Sequence, residues 1–121
     1  MSETTTLYRP VGQQELDLII QSGYREFPRR LSGQPIFYPV VSLDYAIQIA
    51  RDWNTKDANS GFVGYVTRFR LESEYLAQFP VQQVGGVVHL EYWIPASDLP
   101  TFNNKIVDKI EVIHEFHQAR S

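Results

Sequence analysis

Hydrophobic and polar positions along this chain change their period several times, and each change marks an element. Leu7-Tyr8-Arg9-Pro10-Val11 is a short apolar run in which Pro10 demands a sheet edge or a strand end, so it predicts a first strand. From Gly12 to Ser22 the spacing turns helical: Leu16, Ile19 and Ile20 share one face, Glu15 and Asp17 sit in the early turns, and Gly23 supplies the stop. Tyr24 to Pro35 is rich in Arg, Pro, Ser and Gly and keeps no period, which predicts a loop. Loops of that length in compact domains often serve function.

Pro35-Ile36-Phe37-Tyr38-Pro39-Val40 predicts a second strand. Ser42 then offers an N-cap, Asp44 stands in the first turn, and Leu43, Ala46, Ile47, Ala50 and Trp53 form one stripe of a helix running to about Trp53. Asn54 to Gly61 is a polar turn segment. Phe62 to Leu71 sets Tyr65, Thr67, Phe69 and Leu71 against Val66, Arg68 and Arg70, the pattern of a half-exposed strand. Ser73 to Gln78 predicts a helical turn, Phe79 to Val84 a strand, and Gly85-Gly86 a turn. Near the end, Ser97-Asp98 caps a short turn through Phe102 and Ile106 to Phe116 forms a final strand.

Gly85 to Leu99, which takes in that turn and that cap, reads as an apolar strand with one carboxylate, Glu91, set in its middle. Val88, Leu90, Tyr92 and Ile94 make one row, while Val87, His89, Glu91 and Trp93 make the other. The second row suits either an ordinary solvent-facing surface or the wall of a cleft, where a carboxylate meets a ligand and an indole packs on it.

Helices early and strands late, joined by short turns, predict an α+β fold with mostly antiparallel β-sheets and two main helices. With 121 residues the chain fits one domain, expected over residues 7–121 behind a flexible N-terminus of residues 1–6. Hydrophobic residues at 43% and charged residues at 21% are globular values and argue against a disordered chain. The net charge of −3 argues against general nucleic-acid binding through phosphate attraction. No stretch approaches the roughly 18 apolar residues of a membrane span, and the N-terminus lacks the basic start and apolar run of a signal peptide, so a cytoplasmic location is expected.

The absence of cysteine excludes disulfides, cysteine-type zinc sites and thiol nucleophiles. Among the histidines, His114 and His117 are three apart, where a helical His-Glu-x-x-His motif needs a spacing of about four, so no metal site is expected. Gly-x-Gly-x-x-Gly and Gly-x-x-x-x-Gly-Lys-Ser/Thr are both missing, which disfavours a parallel nucleotide-binding fold. No Gly-x-Ser-x-Gly elbow supports serine-nucleophile chemistry. Three polar residues on predicted strands remain: Arg9, Tyr38 and Glu91. Taken singly, each also fits a surface guanidinium, a core ring with its hydroxyl in water, or an exposed strand carboxylate.

Their order along the chain is distinctive. Leu7-Tyr8-Arg9, a helix ending in Ser22-Gly23, Ile36-Phe37-Tyr38 feeding Ser42-Leu43-Asp44-Tyr45-Ala46, and Glu91 on a late strand together resemble the ADP-ribosyltransferase-like superfamily, over nearly the whole chain. The segments LYRPVG, ELDLI, QPIFYPV, YAIQIARDWN and EYWIPASDL are similar to small bacterial proteins labelled ADP-ribosylation/crystallin J1. The metal-binding aspartates of ADP-ribosylglycohydrolases are not found here. The resemblance implies a split, mostly antiparallel sheet and NAD as substrate, its ADP-ribose transferred to an unknown protein, nucleic-acid or small-molecule acceptor. It further implies that Arg9 contacts the NAD ribose or phosphate, that Tyr38 stacks on the nicotinamide, and that Glu91 steadies the oxocarbenium-like transition state as nicotinamide leaves.

Two positions depart from the family pattern. Where relatives that modify arginine carry Glu two residues before the catalytic Glu, this chain has His89, on the same strand face as Glu91 and able to meet the acceptor. Phe37-Tyr38-Pro39 replaces the usual Ser-Thr-Ser. Arg25, Arg29 and Arg30 lie in the loop where the fold often builds part of its NAD pocket, and the resemblance offers all three as pyrophosphate contacts, with a solvated basic loop as the equal alternative. The alternative to a transferase is a non-catalytic NAD- or nucleotide-binding module of the same fold. A relative of the RNA 2′-phosphotransferases is disfavoured by the acidic charge.

Overall fold

The computed structural model describes residues 3–87 and 89–118. Strand β1 (Thr4–Val11) leads through Gly12 into helix α1 (Gln13–Gln21), and a long loop reaches the two-residue strand β2 (Ile36–Phe37). Helix α2 (Leu43–Asp52) is followed by two single 3₁₀ turns and strand β3 (Val63–Glu72). The remaining elements are short: α3 (Ser73–Leu76), β4 (Val81–Gln83), β5 (Leu90–Tyr92), β6 (Ile94–Pro95) and α4 (Leu99–Asn104), closed by the long strand β7 (Ile106–His117). The architecture is α+β with antiparallel strand pairs, as expected, and α1 and α2 are its longer helices.

Both helix boundaries follow from local chemistry. At the end of α1, Gly23 takes a left-handed φ of 77°, so that its N–H reaches the Ile20 carbonyl while the Tyr24 N–H reaches that of Ile19. At the start of α2 the Ser42 hydroxyl accepts the Tyr45 N–H at 3.2 Å.

β3 lies at the centre of the sheet order β1-β3-β7; its first half, Val63–Thr67, is buried on both faces, while from Arg68 onward it keeps the expected alternation, with Arg70 exposed opposite buried Phe69 and Leu71. Tyr65, Phe69 and Leu71 face a core with Leu7, Val11, Leu16 and Ile19, in which Phe27, Phe37, Phe69 and Phe102 pack ring to ring at centroid distances of 4.9–6.0 Å. Val66, on the opposite face, packs with Val40, Ala46 and Ala50 of a second cluster. Helix α2 can lie this close because a Cβ on Gly64 would overlap the Ala50 backbone.

The expected second strand is interrupted. Pro35 and Pro39 have no N–H to give, and only Ile36 and Phe37 pair with β6 before Val40 makes an isolated bridge on either side. On one side Val40 exchanges both backbone bonds with Tyr8, at 2.8 and 3.0 Å; on the other the Val41 N–H reaches Leu90 at 3.0 Å and the Tyr92 N–H reaches Pro39 at 2.9 Å. One residue thus joins β1 to β5, and β5 in turn pairs with β4.

The expected continuous strand over Gly85–Leu99 also divides, because β5 pairs with β4 while β6 turns to β2 at Trp93. Val88 of its apolar row lies outside the described residues. Residues 4–6, expected in a flexible N-terminus, belong to β1: Thr4, Thr5 and Thr6 pair with Glu72, Leu71 and Arg70, and the Thr5 hydroxyl bonds that of Ser73 at 2.6 Å. Trp53 leaves the predicted apolar stripe of α2 and is 71% exposed, and Ile20 of α1 is exposed as well.

β7 is the edge strand of its sheet and is irregular in two places. The register with β3 skips Ile113 and shifts again between Glu111 and Val107, where Asp108 takes φ 63° and the Ile110 N–H turns to the Tyr24 carbonyl at 2.7 Å. Substituting Gly64 with Ala is expected to cost about 3 kcal/mol of stability, since the helix and strand would have to separate. Denaturant unfolding reads this directly, and an unchanged midpoint would show that α2 has room to move.

Candidate functional site

Helix α2 presents two faces. Ala46 and Ala50 enter the core, while Tyr45, Gln48 and Ile49, at i, i+3 and i+4, line a cavity of about 710 Å³. Arg9 and Pro10 of β1, Tyr38 and Val40 from the segment before α2, and Val84, His89 and Glu91 from β5 and the turn before it complete most of its wall. Trp53 and Asn54 close the far end. The Val40 bridge brings β1 and β5 to the same place, so Arg9, Tyr38, His89 and Glu91 come together as the sequence order implied.

Glu91 is buried and held on both oxygens. It is 8% exposed, the Tyr45 hydroxyl donates to its Oε1 at 3.0 Å, and the Trp93 indole N–H donates to its Oε2 at 2.8 Å. Two donors, one on each oxygen, satisfy the buried carboxylate and fix its orientation. Burial first, then the hydrogen bond to Glu91 and its charge, push the Tyr45 hydroxyl up to about 12, so Tyr45 stays a neutral donor at physiological pH.

His89 shares the cavity wall with Glu91, and its ring stacks on Tyr45 at 4.7 Å. Both nitrogens are engaged. The Gly86 backbone N–H donates to Nδ1 at 3.2 Å, and Nε2 lies 3.0 Å from Gln48 Oε1. A backbone N–H cannot accept, so Nδ1 is unprotonated and Nε2 carries the hydrogen given to Gln48.

Arg9 borders the cavity, but its guanidinium is committed to the protein. Nε and one terminal nitrogen form a fork with the Glu15 carboxylate at 2.6 and 2.9 Å, the other donates to the Tyr38 carbonyl at 3.2 Å, and the plane lies 4.4 Å from the Phe37 ring centroid. Tyr38 carries its ring on the cavity rim, 40% exposed.

Arg29 and Arg30 do not line this cavity. They line an adjoining cleft of about 700 Å³ that shares Arg9, Pro10 and Asn54 with it. There Arg30 Nε donates to the Ile36 carbonyl at 3.1 Å, and burial, then the neighbouring Arg9 charge, lower its pKa. Arg25 lies apart from both, in a hollow with Arg70, Asp108 and Lys109.

Tyr45, Gln48, Trp53 and Asn54 are site residues that the sequence reading overlooked. The signal was present in α2, whose second helical face carries Tyr45, Gln48 and Ile49 beside the alanine face. Asn54 gives its amide N–H to Ser60 at 2.9 Å, and its buried carbonyl oxygen has no partner among the described residues. Among the described residues, no cluster of histidines and carboxylates has a metal-binding arrangement, and no helix is long and apolar enough to cross a membrane.

Comparison of the chain with family models, curated proteins and solved structures finds no match.

The raised Tyr45 pKa has a definite sign in stability. Unfolded tyrosine ionises near 10, so this contribution is whole below that pH and is lost as pH rises through about 12. Subtracting the alkaline absorbance titration of Tyr45→Phe from that of the wild type is expected to leave one group with a midpoint near 12. In a Glu91→Gln background that midpoint should fall toward 10 while staying above it, because burial is the larger cause. A midpoint indifferent to Glu91 would remove the hydrogen bond from the account.

Proposed function

We propose that this chain is an NAD-dependent ADP-ribosyltransferase-like protein that transfers ADP-ribose to an acceptor with release of nicotinamide. The observation that carries this reading is Glu91, a buried carboxylate gripped by two donors at the wall of an aromatic-lined cavity. Breaking the bond between the nicotinamide nitrogen and the ribose carbon sends the electron pair to the nicotinamide and leaves positive charge on the sugar. A fixed, desolvated carboxylate lowers the energy of that charge more than a mobile, hydrated one does. The acceptor then donates its electron pair to the same carbon and loses its proton.

In this reading Glu91 accepts a hydrogen bond from a ribose hydroxyl and faces the developing charge, while Tyr45 and Trp93 hold it still. The Tyr38 ring on the rim suits a planar cationic ring. Arg9, tied to Glu15, shapes the junction between the two clefts and offers only its remaining N–H groups. Arg29 and Arg30 in the adjoining cleft supply the cationic surface suited to a diphosphate.

A second reading, a nucleotide-binding module without turnover, is favoured by His89. Its ring nitrogens are both engaged within the protein, which leaves the cavity without an unengaged imidazole to take the acceptor's proton.

Incubation with NAD and a panel of protein, nucleic-acid and small-molecule acceptors is expected to release nicotinamide, and Glu91→Gln to slow that release by about 100-fold or more. Circular dichroism should show the variant folded. Calorimetric binding of NAD with equal, background release from both proteins would establish the binding module instead.

A further inference from the structure

The hydrogen-bond chain through His89 fixes more than the histidine. Because the Gly86 N–H is an obligate donor, His89 Nδ1 must accept, Nε2 must donate, and the Gln48 atom facing it must be the carbonyl oxygen. The orientation of the Gln48 amide is therefore set by a backbone group two hydrogen bonds away. Its –NH₂ is left over. Gln48 lines the cavity, and among the described residues nothing accepts from that nitrogen.

The neighbouring polar groups are arranged to match. Tyr45 joins the two ends of the set, bonding Glu91 through its hydroxyl and stacking on His89 through its ring. The cavity thus presents an acceptor, Glu91, and an unfilled donor, Gln48, linked through Tyr45 and His89, among the aromatic side chains of Tyr38, Tyr45 and Trp53. A flat ring that carries a carbonyl oxygen fits this arrangement, with its faces against the aromatic side chains and its oxygen on the amide donor.

We infer that Gln48 is a specificity-determining residue that reads the carbonyl oxygen of a planar nitrogen heterocycle, with His89 as the positioning residue that turns the amide toward it. The inference rests on taking this cavity as the ligand site, and it does not require turnover. The heterocycle's carbonyl belongs either to a nicotinamide carboxamide or to a nucleobase lactam, and the probes separate the two.

Titration of isotopically labelled protein, followed by amide NMR shifts, would compare nicotinamide, uracil and 3-methylpyridine, which lacks the carbonyl. The wild type is expected to bind nicotinamide or uracil about tenfold more tightly than 3-methylpyridine, the worth of one well-placed hydrogen bond. Gln48→Glu keeps an acceptor for His89 but has no donor to offer, and it should bring that preference within about twofold while leaving 3-methylpyridine affinity unchanged. Gln48→Met, which removes both polar atoms, should lose the preference equally. Whichever of nicotinamide and uracil binds better identifies the source of the carbonyl. A preference that survives in Gln48→Glu, no preference in the wild type, or no binding of any probe overturns the inference. Absence of NAD cleavage with the carbonyl preference intact would count against the transferase reading alone.

Discussion

A single residue holds the site together. Val40 exchanges two backbone hydrogen bonds with Tyr8 on one side and stands opposite Glu91 on the other, so the distance from β1 to β5 is fixed by one strand position and not by a packed interface. Backbone spacing across such a bridge is set by hydrogen-bond length and leaves little play. Its side chain is 2% exposed and packs on Ala46, Ala50 and Val66, which ties the bridge to α2. Everything at the cavity inherits this placement: Arg9 follows Tyr8, Tyr38 precedes Val40, Glu91 faces it, and Tyr45 rises from the helix that Ser42 caps just beyond.

The electrostatics of the site are mostly internal. Arg9 is answered by Glu15, and Glu91 by Tyr45 and Trp93, so the two buried charges each carry protein partners. A buried guanidinium with a forked carboxylate satisfies itself at little net gain in stability, and its value lies in orientation. Glu15, placed in the first turn of α1 as a favourable charge for a helix start, also locks β1 to that helix. The result is a cavity whose polar groups are largely committed before any ligand arrives, the Gln48 amide –NH₂ and the buried Asn54 carbonyl oxygen being left without protein partners among the described residues.

Much of the fold was legible from periodicity. The Ser42 cap, the Gly23 stop and the alanine stripe of α2 are local signals, each with a local cause, and they stand where the pattern places them. What periodicity missed depends on tertiary partners. The alternation of β3 reads as one buried face, which holds in its second half, yet α2 covers the other face at Gly64 and Val66 because Gly64 lets the backbones meet, which is visible only once helix and strand are adjacent. The broken strand at Trp93 has the same origin, since β5 and β6 choose different partners and no residue in between announces the change. At the site, chain order brought Arg9, Tyr38, His89 and Glu91 to one cavity, but it could not show that Arg9 was already spoken for. Arg29 and Arg30 fell in the next cleft, which shares Arg9 with the first, because an aperiodic loop gives no signal of where its side chains come to lie.

The irregular path of β7 bears on how molecules of this protein meet one another. A straight twelve-residue edge would offer a regular row of backbone donors and acceptors to any passing strand. Here the skipped residue Ile113, the turned-in Ile110 and the left-handed Asp108 break that row into pieces too short to template a pairing, while Asp108, Lys109, Glu111 and Glu115 add charges that resist it. An edge distorted and charged in this way is a poorer template for strand-to-strand pairing between molecules than a straight one.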